Sequence, residues 1–270
     1  MADVQAGIGP FLGVFLVAHG WQSGSIGSVM TIGGIAGMVM MAPAGAFIDE
    51  TTHKRICVIV LGICTVLASM IILLSQLFWV VALSQVATSI AGAAIGPALN
   101  GITLGIVRQA GFNRQNGYNQ AFNHAGNLVG AGLSGWLGWM FGLTAVFWLS
   151  AVFGVLTIIS VLMIPADAID DDEARGATLA AVGPQGGVEP AMHRKPSGFK
   201  VLAESKPLLV LAGALALFHL GNGAMLPLLG LAVVSAGHAD PASFVALTVV
   251  VAQGTMIITS LIAMHMAERR

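Results

Sequence analysis

Charged side chains are scarce in this sequence, where they make up 9% of the 270 residues. Soluble domains carry roughly 25% charged residues, because a folded globule needs polar side chains to cover its surface. Hydrophobic residues account for 56% of the chain. These proportions exclude an ordinary soluble domain and predict that lipid hydrocarbon surrounds most of the protein.

Other absences exclude whole classes of function. A net charge of -1 with scattered basic residues argues against a nucleic-acid partner. The only two cysteines, Cys57 and Cys64, share one apolar stretch and lack metal-ligand or redox spacing. The sequence contains no paired carboxylate site, His-x-x-x-His pair, phosphate-binding loop or nucleophile constellation. We therefore predict no enzyme, no metal site and no cofactor.

Long apolar runs are abundant. A helix of about 20 apolar residues crosses the hydrocarbon core while satisfying its own backbone hydrogen bonds. The 35 glycines suit such helices, since small residues let backbones pack closely. The runs predict eight spans, at residues 3–18, 26–48, 56–75, 79–107, 120–142, 144–164, 207–235 and 243–266.

The basic residues divide the connections between these spans into two kinds. All 11 Lys and Arg residues follow the second, fourth, sixth and eighth spans, and the other connections have none. Because cytoplasmic loops collect Lys and Arg, this pattern predicts a cytoplasmic N-terminus in an inner or plasma membrane. It also agrees with the number of spans read from the apolar runs.

The stretch from Pro165 to Lys206 is polar and contains several prolines and an acidic cluster at residues 170–173. Such a composition predicts a mobile cytoplasmic connector whose acidic cluster is solvated rather than metal-binding. The connector at residues 166–206 divides the chain. A six-helix transmembrane bundle is predicted at residues 1–165, and two further helices at 207–270.

A motif follows the second span, with Gly45 four residues before Asp49 and then the basic pair Lys54 and Arg55. It resembles the cytoplasmic motif between the second and third helices of the major facilitator superfamily, except that His53 departs from the usual pattern. The layout of six helices, a connector and further helices is also similar to that family. The resemblance implies an all-α polytopic fold, with one six-helix bundle and the first two helices of a second.

The same resemblance implies a function. Proteins of this family are secondary active transporters that move small solutes by alternating access between two helical halves. There the motif latches the halves in one conformation, which makes Gly45, Asp49, Lys54 and Arg55 candidate latch residues and Arg108 a candidate partner for Asp49. The final residues, 267–270, look like the start of a second copy of the motif, so we expect a truncated form.

Polar residues within spans are candidates for a solute pathway, because burying them without a partner is costly. Asn100 shares a face with Gly92 and Gly96 on the fourth span, a helix that lines the central cavity in the resembled family. Gln120 begins a cluster on the fifth span that either binds solute or joins neighbouring helices; its other members are Asn123, His124 and Asn127.

The seventh span carries His219 and Asn222 among glycines, a pattern that predicts local unwinding and a solute site. His219 is a candidate proton relay. Asp3 and Gln5 begin the first span, and Asp3 is the natural carboxylate partner of His219. Three other interpretations stay open: a nontransporting remnant or membrane scaffold, an eight-span carrier of another family, and an integral membrane enzyme. The solute, the coupling ion and the oligomeric state are not predicted.

Overall fold

A computed structural model describes residues 11–174, 205–223, 232 and 241–268, and these residues are mostly helical with no strand among them. Residues 11–18 form α1. The later elements are α2 (Ser23–Glu50), α3 (Lys54–Leu74), α4 (Phe78–Phe141), α5 (Thr144–Leu162), a 3-10 turn (Ala166–Ala168), α6 (Asp171–Ala174), α7 (Lys206–Gly223) and α8 (Pro241–Glu268).

Helix length and surface chemistry fit a bilayer. Within the described residues, 5 helices are long and apolar enough to cross a membrane, namely α2, α3, α4, α5 and residues 243–262 of α8. Large apolar side chains are outside: Trp79 is 77% exposed and Leu74 is 85% exposed. Hydrocarbon makes such exposure favourable where water would not. The predicted all-α polytopic fold is confirmed.

Helix α4 contains two of the predicted spans. Its 64 residues include one non-helical position, Arg108, with φ 56° and ψ 179°. Thr103 and Asn119 would lie roughly 24 Å apart along a straight helix, yet Asn119 Nδ2 is 3.0 Å from Thr103 Oγ1. The chain therefore folds back at Arg108 into a first arm (residues 78–107) and a second arm (residues 109–141). The loop expected between these spans is instead helical on both sides of a single turning residue.

The core is built where helices approach closely. One apolar cluster contains Phe15, Ile26 and Phe147, and a second contains Ile48, Val58 and Val161 at the end of the bundle that carries Lys54 and Arg55. Glycine permits the contact of α2 with α4, since a Cβ at Gly33 would lie 3.0 Å from the Gln85 Cβ. Close van der Waals contact at small residues, rather than the exclusion of water, therefore holds these helices together.

Two expectations need correction. Residues 166–174 do not belong to a mobile connector, because Ala174 is buried and the Asp170 N–H donates to the Gly105 carbonyl of α4 over 3.1 Å. The predicted unwinding at residues 219–223 is also wrong, since α7 continues through Gly223. An apolar helix retains its own backbone hydrogen bonds in lipid even through glycines. The second half of the predicted seventh span, beyond residue 223, lies almost wholly outside the described residues.

Candidate functional site

A cavity of ≈ 920 Å³ lies between the two arms of α4, with α5 on one side. Its polar lining comes mostly from carboxamide side chains. We call it the amide cavity, after the six residues Asn100, Gln115, Asn116, Asn119, Gln120 and Asn123. Apolar residues complete the wall, including Leu99, Phe122 and Phe153.

Helical spacing brings these amides together. Asn116, Gln120 and Asn123 are separated by four and three residues, which places them on one face of the second arm. On the first arm Gly96 and Gly92 also line the cavity, one turn and two turns before Asn100, respectively. Since glycine has no side chain, these two positions leave room beside the amide.

A short chain of hydrogen bonds joins the arms. Gln115 Nε2 donates to Asn119 Oδ1 over 3.0 Å, and Asn119 Nδ2 donates to Thr103 Oγ1 over 3.0 Å. The Thr103 hydroxyl in turn donates to the Leu99 carbonyl over 2.8 Å. Two of the six amides therefore have a structural task, which is to hold the fold-back of α4.

The other four amides, Asn100, Asn116, Gln120 and Asn123, form no hydrogen bond with any residue that the structure describes. Asn100 and Gln120 are exposed, and Asn116 and Asn123 are half-buried, so all four are accessible to water or to a solute. No Asp, Glu, Lys, Arg or His belongs to the described lining. The cavity can therefore bind through hydrogen bonds and apolar contact, without a charge.

The predicted pathway residues separate into groups. Asn100 and Asn123 line the amide cavity. His124 does not: its Nδ1 lies 2.7 Å from Gln253 Oε1 of α8. Asn127 is 7% exposed, and its Oδ1 has no hydrogen-bond partner among the described residues. The cluster predicted on the fifth span thus divides between the lining of the amide cavity and a contact with α8.

Four remaining candidates are not placed beside the cavity. Asp3 and Gln5 lie outside the described residues, and His219 and Asn222 are placed only as part of the helical backbone of α7. Conversely, sequence reasoning missed Gln115, Asn116 and Asn119, because they fall where a loop was expected. The three- and four-residue spacing of Asn116, Gln120 and Asn123 was the signal that the second arm begins earlier.

A second polar group lies at the basic end of the bundle. We call it the junction and define it by Lys54, Arg55, Gly101, Gly105, Arg108 and Asp170. Lys54 is 2% exposed, and its ammonium donates to the Thr51 carbonyl over 2.8 Å. Thr51 is the residue that ends α2. Lys54 therefore caps a helix whose last carbonyls lack partners within the helix.

Arg55 has the matching role on α5. Its Nε donates to the Val161 carbonyl over 3.2 Å, and its Nη2 donates to the Leu162 carbonyl over 2.6 Å. These carbonyls belong to the last turn of α5, where a cation also meets the negative end of the helix dipole. The basic pair of the motif thus joins the ends of α2 and α5, a role that the motif itself did not predict.

Two glycines on α4 form the floor of the junction. A Cβ at position 101 would lie 2.7 Å from the Lys54 Cε, and a Cβ at position 105 would lie 2.9 Å from the Asp170 carbonyl oxygen. Both approaches are closer than any side chain allows. Gly101 and Gly105, one turn apart, therefore provide the groove into which Lys54 and the segment at residues 169–174 pack.

Arg108 was expected to pair with Asp49, but in this structure it does not. Its Nη2 lies 3.7 Å from Asp170 Oδ2, and both side chains are largely accessible, at 69% and 40%. Packing of residues 169–174 against Gly105 brings the Asp170 carboxylate to the turn of α4. Asp49 is exposed at the end of α2, where Lys54 is the cation that acts on it electrostatically.

The packed apolar helices and the polar cavity between them define a polytopic α-helical membrane protein. A family model of the Major Facilitator Superfamily matches residues 2–270, and the chain belongs to that family. Among its relatives are two proteins described as uncharacterized MFS-type transporters of Mycobacterium tuberculosis, from strains CDC 1551 / Oshkosh and H37Rv. Each is 39% identical over 231 residues, which cover 85% of this chain and 53% of the relative.

The chain thus spans about half the length of the curated relatives that it matches. No solved structure gives a significant match. Family membership confirms the resemblance that the motif and the helix layout predicted.

Proposed function

We propose that the protein is a secondary active transporter of a small solute and that it works by alternating access. The amide cavity carries this proposal. Four carboxamides that have no hydrogen-bond partner among the described residues line a cavity between apolar helices, where they are accessible to water or to a polar solute. In this proposal residues 1–165 and 207–270 belong to the two halves that move relative to each other, and residues 166–206 connect them.

The contact between these halves supports a moving interface. Helix α8 packs on the second arm of α4 through the 2.7 Å His124–Gln253 contact, and Val245 and Ala246 of α8 join Phe11, Val14 and Val146 in one apolar cluster. Membrane-embedded polar contacts between helices contribute only about 1 kcal/mol, so such a contact is easily exchanged during a conformational change.

The latch remains part of the proposal. Gly45, Asp49, Lys54, Arg55 and Arg108 would hold the basic end closed in one conformation, and this end would face the cytoplasm, as would the N-terminus. Asp49 is free of a short ion pair within the described residues and is exposed, so it is available to a partner in another conformation. Proton coupling through His219 and Asp3 is a separate proposal.

Uptake into liposomes tests transport directly. The purified 270-residue chain would be reconstituted and exposed to a defined mixture of sugars, nucleosides, amino acids and organic acids, with the vesicle contents quantified by mass spectrometry. We expect at least one solute to enter faster than into empty liposomes, and an Asn123→Trp variant, which places a bulky ring in the cavity, to reduce the excess strongly.

Asn113→Trp is the matched control, since Asn113 is on the same arm, exposed and absent from the cavity lining. A protonophore should abolish accumulation if a proton gradient drives it. Absence of any excess uptake would contradict transport and favour the nontransporting remnant, whereas chemical conversion of a solute would favour the membrane enzyme.

A further inference from the structure

We infer that the amide cavity binds uncharged solutes that carry several hydroxyl or amide groups on one side and an apolar surface on the other. This inference rests on the proposed function only in taking the cavity as the site where solute binds. It adds the chemical class of the ligand, which follows from what lines the cavity and from what is missing there.

The cavity has more hydrogen-bond donors and acceptors than its own side chains use. Each carboxamide offers two N–H donors and one oxygen acceptor. The side chains of Gln115 and Asn119 bond to each other, and Asn119 also bonds to Thr103. The other four amide side chains form no hydrogen bond with a described residue; they are those of Asn100, Asn116, Gln120 and Asn123. Groups that both donate and accept, such as hydroxyls and amides, match a carboxamide better than a group that only accepts.

The described lining has no charged side chain, and this absence disfavours a charged ligand. A charge that leaves water needs a partner of opposite sign or many aligned hydrogen bonds, and otherwise its desolvation dominates. The described lining contains no ionisable residue, and Arg108 and Arg114 are outside it. Carboxylates and ammonium groups therefore lose more on entry than neutral groups of the same size.

The rest of the wall favours an apolar surface on the ligand. Leu99 and Ile95 on the first arm, Phe122 on the second and Phe153 on α5 all line the cavity. Aromatic and aliphatic side chains bind flat, apolar groups, while a few convergent polar groups fix orientation. At ≈ 920 Å³ the cavity has space for a molecule with both parts.

Two probes test this inference, and they differ at one carbon, which carries a neutral hydroxyl group in one probe and forms an anionic carboxylate in the other. Tritiated phenyl β-D-glucopyranoside would be bound to the full chain in lipid nanodiscs and displaced by itself or by phenyl β-D-glucuronide, in which a carboxylate replaces one hydroxymethyl group. We expect saturable binding of the glucoside and at least about tenfold weaker displacement by the glucuronide. Anisole, which retains the ring without hydroxyls, should also displace weakly.

Single substitutions locate the binding. Asn116→Leu and Asn123→Leu should each weaken glucoside binding about threefold to tenfold, the loss expected for one hydrogen bond. Asn113→Leu, the same change outside the cavity, should leave binding unchanged. If either leucine variant fails to give a monodisperse protein, Gln120→Met provides the same test. Equal or tighter binding of the glucuronide, no saturable binding, or an equal effect of Asn113→Leu would overturn the inference.

The binding and transport experiments fail independently. Selective glucoside binding without uptake of any solute would support the inference and contradict transport. Uptake of a charged solute that is insensitive to Asn116→Leu and Asn123→Leu would support transport and contradict the inference.

Discussion

The junction and the amide cavity both lie along α4, but their polar side chains differ in whether they have hydrogen-bond partners within the described part of the protein. In the junction, buried Lys54 and half-buried Arg55 donate to carbonyls at helix ends, and glycines bring the partners into contact. In the cavity, four of six amides have no partner among the described residues, and Gly96 faces open space. One helix therefore combines a closed structural contact with a surface kept available for a ligand.

Alanine at two glycines should have effects of opposite sign, and this contrast gives the largest expected difference. At Gly105 the new Cβ would meet the Asp170 backbone oxygen at 2.9 Å, so we expect a loss of about 1–3 kcal/mol from overpacking. At Gly96, where nothing lies within 4 Å, Gly→Ala should stabilise the helix by up to about 1 kcal/mol. Thermal unfolding in detergent measures both, and equal effects would contradict the comparison.

The turn of α4 places Arg108 in a backbone conformation that favours glycine, at φ 56°. Such a conformation costs a residue with a side chain about 1–3 kcal/mol. Both Arg108→Ala and Arg108→Gly lose the exposed ion pair with Asp170. The alanine variant retains the cost of the backbone conformation, whereas the glycine variant removes it. We therefore expect the glycine variant to unfold at a higher temperature than the alanine variant. The reverse order would show that the turn is not strained.

Asp170 has two tasks that substitutions can separate. Its Oδ2 pairs with Arg108, and its Oδ1 accepts from the Asp172 and Glu173 N–H groups at the start of α6. Asp170→Asn should cost less than about 0.5 kcal/mol, because an exposed ion pair contributes little and asparagine still caps. Asp170→Ala should cost about 1 kcal/mol. Similar thermal stabilities of the two variants would mean that the cap contributes nothing.

Within the cavity, bonded and unbonded amides should differ slightly in stability. Asn119→Leu breaks the bond to Thr103 between the arms and should cost about 1 kcal/mol. Asn123→Leu removes an amide without a described partner and should change stability by less than about 0.5 kcal/mol, while weakening glucoside binding. A larger loss of stability for Asn123→Leu than for Asn119→Leu would contradict the division of the amides into two groups.

Much of the fold could be predicted because hydropathy and basic residues are both read directly from the sequence. The apolar runs at residues 26–48 and 56–75 agree with α2 and α3 to within a few residues. The turn at Arg108 could not be predicted, since its conformation is rare for arginine and follows from the packing of the two arms. The helical residues 109–119 were mistaken for a loop because they are polar.

The site was predicted only in part, for a related reason. Asn100 and Asn123 were found from helical faces, but the faces of Gln115, Asn116 and Asn119 required knowing that a helix was present. The partner of Arg108 depended on the position of Asp170, which is distant in sequence and is fixed by the Gly105 groove. Likewise, only the three-dimensional arrangement shows that Arg55 reaches the end of α5.

The most direct test of the account is whether water and solutes reach the amide cavity from outside the bilayer. Single cysteines would be placed at Asn123, in the cavity, and at Val155, an exposed apolar position on α5 that does not line it, after replacing Cys57 and Cys64 with serine. In nanodiscs, an uncharged, water-soluble methanethiosulfonate that carries a sugar should label the cysteine at position 123 much faster, because reaction needs a hydrated thiolate. Labelling at position 123 that is no faster than at position 155 would contradict the account.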